Sequence, residues 1–320
     1  QTPSKAMKPP MYPVSCPVQP PPVERSGAPR WVGWMVLLAV LAALAACSSR
    51  QLLVRGVADE LASQGQADEE DLGLARDASP FYLKLSESLL KESPGHQQLA
   101  QAVASGFTQY AYAFVAFEAE RMAATDAKAA HTQNERARRL YLRAHHHAMA
   151  ALEWSDPGFK AGLLRAQAAE SGVLKPDQVG LAYWAAASWG ASIALSKDDA
   201  DAVADLPAVV RLATWAWNTS PSHGHGALAS LMGTLEAARP GGSVPKAAAY
   251  FDQAIALGEG RSAAPYVAKA ESIALPAGDR PTFEALLRAA LAASAARRDM
   301  SNQVMQARAE WLLGQADDLF

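Results

Sequence analysis

Three helix-like stretches of this chain end on a proline at an almost constant interval. They are Leu89-Leu90-Lys91-Glu92-Ser93-Pro94-Gly95-His96, Leu152-Glu153-Trp154-Ser155-Asp156-Pro157-Gly158-Phe159 and Trp217-Asn218-Thr219-Ser220-Pro221-Ser222-His223. Pro94, Pro157 and Pro221 lie 63 and then 64 residues apart. A proline has no N–H to give and its ring clashes with the preceding turn, so each one halts a helix. The small or polar residues that follow suit the start of the next. A fourth unit at this period closes near Ala293, without a proline.

The period is close to twice the roughly 34 residues of a tetratricopeptide repeat. The stretch Ala247-Ala248-Ala249-Tyr250-Phe251-Asp252-Gln253-Ala254-Ile255-Ala256-Leu257 reads as one helix of such a repeat. The spacing therefore predicts an all-α chain of stacked helical hairpins of tetratricopeptide-like type, a right-handed α-solenoid with long inserted helices. Composition agrees. Half of the 320 residues are hydrophobic, enough for one large core or two smaller ones. Isoleucine occurs only at Ile193, Ile255 and Ile273, and the β-branched alternation of strands is not found.

Residues 1–46 read differently. A proline-rich run containing Pro20-Pro21-Pro22 is followed by Arg25 and Arg30 and then by an apolar segment from Trp31 to Ala46, the layout of a bacterial export signal. Its end, Leu44-Ala45-Ala46-Cys47, resembles the lipobox of bacterial lipoproteins, in which the cysteine thiol is acylated. Ser48 follows where an aspartate marks inner-membrane retention in enteric-type bacteria, which points to outer-membrane sorting. The other cysteine, Cys16, is lost on cleavage, so the mature chain has no internal disulfide to form. The competing reading is an uncleaved anchor, since Trp31 to Ser49 has no charge and is almost long enough to span a bilayer. The expected organisation is a leader and signal over 1–46, a lipidated N-terminus with a first helix over 47–74, and a helical repeat domain over 75–320. The segment 1–46 carries a net charge of +3 and the whole chain −3, which leaves −6 on the remainder and nothing to favour nucleic acid.

The richest aromatic stretch is Gly106 to Phe117. On a regular helix Phe107, Tyr110, Phe114 and Phe117 form one stripe, with Tyr112 opposite among alanines. The phenylalanines read as hairpin core. A buried tyrosine needs a polar partner, which an amphipathic solute supplies. Tyr110 or Tyr112, with Tyr183, Trp184 and Trp189 from the uncharged run Val179 to Ser196, are thus the candidate cavity or partner-binding residues. That run reads as a buried helix rather than a membrane span, because its alanines make it only weakly apolar.

Several patterns imitate chemistry and have plainer readings. His145-His146-His147 on a helix fans across about 200° and does not converge on one ion. His223 and His225 have no carboxylate or cysteine at ligand spacing. Ser243-Val244-Pro245-Lys246 reads as an N-cap serine with proline in the first turn. Gly258-Glu259-Gly260-Arg261-Ser262-Ala263 follows a helix rather than a strand, as a C-cap and turn do and a dinucleotide fingerprint does not. No Gly-x-Ser-x-Gly, Walker or His-Glu-x-x-His pattern occurs. The expectation is no catalysis, no metal and no cofactor.

Gly106 to Phe117, Leu140-Tyr141-Leu142-Arg143-Ala144 and Ala185 to Asp199 resemble the T component family of tripartite ATP-independent periplasmic (TRAP) transporters. Gly224-His225-Gly226-Ala227-Leu228, Arg239-Pro240-Gly241-Gly242, Pro265-Tyr266-Val267 and the terminal Ala309-Glu310-Trp311-Leu312-Leu313 with Asp317-Asp318-Leu319-Phe320 continue the resemblance over about residues 75–320. It implies a periplasm-facing lipoprotein without enzymatic activity, anchored to the membrane by lipid at Cys47. It also implies a homotrimer that docks the soluble substrate-binding (P) protein and offers an apolar cavity to its ligand. A scaffold lipoprotein for envelope assembly, with no solute, is the alternative.

Overall fold

The computed structural model describes residues 56–61, 69–165 and 172–320. All of them belong to the unit Gln51–Phe320. The leader, Cys16 and Cys47 lie outside the described residues. Every regular element among the described residues is helical.

The first long helix, α1 (Leu72–Glu92), starts where the Asp71 carboxylate accepts from the backbone N–H groups of Gly73 and Leu74, and stops two residues before Pro94. Helix α2 (Gln97–Ala111) is capped by the His96 ring, whose Nδ1 accepts from the Leu99 N–H. It passes through a π-helical segment, Tyr112–Ala116, into α3 (Phe117–Met122). Helix α4 (Ala127–Ser155) again stops two residues before a proline, Pro157, and the short α5 (Phe159–Arg165) follows. The uncharged run forms α6 (Val179–Ala194), ten of whose residues are buried. Helix α7 (Ala200–Ala204) leads into α8 (Leu206–Thr219), which ends two residues before Pro221.

Helices α9 (Ala227–Ala238) and α10 (Val244–Leu257) then pack on each other across a short turn. Gly233 on α9 faces Phe251, where a Cβ would lie 2.9 Å from a ring carbon, so only glycine permits this approach. Ser243 caps α10 by accepting from the Lys246 N–H, and the Glu236 carboxylate holds the turn from both Arg239 and the Ser243 N–H. A second close pair is α12 (Arg280–Ala296) with α13 (Met300–Gly314). Between the pairs lie α11 (Ala264–Lys269) and a second π-helical segment, Ala270–Ala274.

Two clusters form the core. The larger joins α2, α4, α6 and α8 through Leu99, Val103, Leu152, Leu181 and Leu212, all fully buried. The smaller joins α11, α12 and α13 through Val267, Phe283, Leu287 and Leu312. Alanine is the commonest residue in both, and its small side chain brings helix backbones close. No helix among the described residues is long and apolar enough to cross a membrane.

The aromatic stretch departs from the regular helix that its spacing predicts. At the π-helical segment the Phe117 N–H reaches back five residues to the Tyr112 carbonyl. This wider turn carries Phe117 round to the side of Tyr112 instead of leaving the two opposed. The Arg308 guanidinium accordingly lies 5.7 Å from the Tyr112 ring centre and 5.3 Å from that of Phe117. The rest of the stripe is also roofed by arginines, Arg143 over Phe107 at 4.9 Å, Arg136 over Tyr110 at 5.9 Å and Arg76 over Phe114 at 5.6 Å.

Candidate functional site

Five elements, α2 with Thr108 and Gln109 among them, meet around a chamber of about 280 Å³. The first π-helical segment supplies Tyr112, α4 supplies Tyr141, α6 supplies Tyr183 and Trp184, and the first turns of α13 supply Met300 and Met305. On α6 the small Ala187 and Ala191 face the chamber and leave its volume unfilled. None of the described residues lining it is charged.

Burial alone pushes the Tyr183 phenol up to about 12. Burial likewise raises Tyr141 and Tyr112. For Tyr112 the Arg308 charge opposes the rise, and Glu271 and Glu120 add to it. All three phenols are therefore neutral donors near neutral pH. The hydroxyls of Tyr112 and Tyr183 make no hydrogen bond to another described residue. Rings and thioethers with neutral O–H donors suit an apolar molecule that carries a hydrogen-bond acceptor.

Arg308 fixes one wall. It is 7% exposed and donates to Glu120 at 2.6 Å and to Glu271 at 2.6 Å. Both π-helical segments meet this group near their starts, since one opens on Tyr112 and the other has Glu271 as its second residue.

The remaining candidates stand elsewhere. Tyr110 is tilted against Phe114, with ring centres 5.6 Å apart, and its hydroxyl accepts from Arg136 at 3.4 Å. Trp189 packs on His145 at 4.5 Å between ring centres. The His145 Nδ1 is 3.2 Å from the Ala185 carbonyl, so it carries the proton. Burial, against that bond, pushes the imidazole down to about 4. His147 turns to Glu87 at 2.8 Å, so neighbouring histidines serve different partners. Tyr110 and Trp189 thus brace the chamber's surroundings without lining it. Tyr141, Met300 and Met305 line it without any local sequence signal, and Tyr141 alone falls in a stretch that carries the family resemblance. A larger apolar groove of about 410 Å³ beside Trp215 and Pro207 contains none of the candidates.

Among the described residues the protein is all-helical, with an uncharged, ring-lined chamber at the meeting of its helices. The TRAP transporter T-component family matches residues 68–320, and the chain belongs to that family. It is similar to an uncharacterized protein of Treponema pallidum (strain Nichols), 28% identical over 264 residues that cover 79% of this chain and 81% of that one. The family is one of transporter accessories associated with the cell envelope, not of enzymes.

Proposed function

We propose that this protein is the periplasm-facing lipoprotein accessory of a TRAP transporter, that it docks the soluble substrate-binding (P) component, and that the chamber receives a small organic ligand. The observation that carries the ligand reading is the convergence of Tyr112, Tyr183 and Trp184 on one uncharged space. The close pairs α9 with α10 and α12 with α13 support a stack of tetratricopeptide-like hairpins. Cys47 is its lipid anchor, on the outer membrane, and the protein assembles as a homotrimer.

A pull-down from envelope extracts, with the acylated chain as bait, tests the partner. Recovery of a TRAP substrate-binding protein is the expected result. Recovery of envelope-assembly proteins without it favours the scaffold reading and removes the transport role.

A further inference from the structure

Among the described residues only two that are not glycine have a left-handed backbone, His225 at φ 51° and Glu259 at φ 50°. Such residues are costly and mark places that the surrounding structure holds for a purpose. Both belong to turns that wall one polar cleft of about 320 Å³. The first turn, Gly224-His225-Gly226, is left-handed at all three residues. A Cβ at Gly226 would lie 2.4 Å from the Ala254 carbonyl, which seats that turn directly on α10. The second turn, Gly258 to Arg261, lies against the first, a Cβ at Gly258 standing 3.5 Å from the His225 carbonyl, and adds Gly258 and Arg261 to the lining.

Two guanidiniums, Arg261 and Arg297, both more than half exposed, line the cleft together with the Asp299 carboxylate. Arg261 pairs with Glu259, and Arg297 Nε is 2.7 Å from Asp299, so each keeps further N–H donors for another acceptor. Asn302 fixes where they stand. This residue is 3% exposed, and its amide donates to the Arg261 carbonyl at 2.9 Å and to the Arg297 carbonyl at 2.8 Å. Its Oδ1 accepts from the Ala263 N–H at 2.9 Å. The two cationic side chains are therefore carried on backbone that one buried amide clamps together.

This cleft adjoins the chamber. The first turn of α13 divides them: Met300 lines the chamber, Asn302 lines the cleft, and Ser301 lines both. An uncharged ring-lined space thus lies beside a polar one lined by Arg261, Arg297 and the Asp299 carboxylate.

We infer that the chamber and the cleft together form one site for a single-chain amphiphile with an acidic head. The tail lies among Tyr112, Tyr183, Trp184 and Met305, and the carboxylate or similar anion lies between Arg261 and Arg297. This rests on the reading of the chamber as a ligand site. The chamber, at about 280 Å³, is small for a two-chain lipid, which selects a single chain.

Equilibrium dialysis of the full chain in phosphatidylcholine nanodiscs tests this, with decanoate and decanol as probes and empty nanodiscs as background. Decanoate is expected to bind saturably and at least about tenfold more tightly than decanol, with the advantage shrinking as salt rises. Replacing both arginines, Arg261→Gln with Arg297→Gln, brings decanoate down to the level of decanol and leaves decanol unchanged. Trp184→Leu weakens both probes. Equal binding of the two probes, or a preference for decanoate that survives the arginine changes, overturns the two-part site and leaves the chamber as a ligand site. Saturable binding of neither probe overturns both readings.

Discussion

Phe114 and Tyr112 are two residues apart, but the physics acting on them differs. Phe114 is 8% exposed, packed against Tyr110 and under Arg76, so Phe114→Ala removes core contacts and leaves a cavity. The expected cost is about 3–5 kcal/mol by denaturant unfolding. The Tyr112 hydroxyl has no partner among the described residues, so Tyr112→Phe is expected to change stability by less than about 0.5 kcal/mol and to alter ligand or partner affinity. A loss as large as that of Phe114→Ala would mean that the hydroxyl is a structural bond and not part of a binding wall. The difference between these residues was only half legible in the sequence. Aromatic spacing separated the stripe from Tyr112, but Phe117 left the stripe because a π-helical turn breaks the period on which such reading depends. The arginine roofs were not legible at all. Arg308 meets Tyr112 from nearly two hundred residues away, and periodicity carries no information about such pairs.

Helix ends are the part of the elements that the sequence announces best. Helices α1, α4 and α8 all stop two residues before their prolines, and Ser243 caps α10, because backbone chemistry at a helix end is local. The left-handed turns at His225 and Glu259 were not legible, since that conformation ordinarily belongs to glycine. Helix α4 carries His145 and, through Arg143 and His147, holds Glu87 of α1, and the titration of both groups is linked to folding. The fold holds His145 neutral, at about 4 against 6.5 when unperturbed. Its contribution is complete above about pH 6.5 and is lost as the pH falls from there through 4. Glu87 follows at lower pH. Burial raises its carboxyl, but hydrogen bonds from Arg143, Lys84 and His147 outweigh this and hold it at about 2 against 4.5. Its contribution is complete above about pH 4.5 and is lost as the pH falls through 2. Thermal unfolding followed by circular dichroism is expected to show stability declining from pH 6.5 downwards. His145→Gln makes the part between 6.5 and 4 shallower without abolishing it, because burial also lowers His147 and His223. An unchanged slope in that variant would show that His145 does not titrate with folding.

At the scale of the whole molecule, one copy leaves large apolar side chains uncovered. Phe81 is 76% exposed and Trp154 63%. Surfaces of this kind favour association, and light scattering of the full chain in detergent is expected to give the mass of a trimer after the micelle is subtracted. A monomer at micromolar concentration contradicts the trimer. Mass spectrometry of the detergent-extracted protein is expected to find Cys47 acylated at the mature N-terminus, and an intact 1–46 segment would contradict the anchor. Family membership was legible from ordered stretches along the chain, but the chamber was legible only in part, because its walls come from elements distant in sequence. In the proposed role this protein serves a transporter by engaging its substrate-binding component. Calorimetric titration of the purified, acylated chain with the TRAP substrate-binding protein from the same cell tests it most directly. A saturable complex with Kd below about 10 μM, close to −7 kcal/mol or tighter, is expected. The absence of heat and of any complex at ten times that concentration would contradict it.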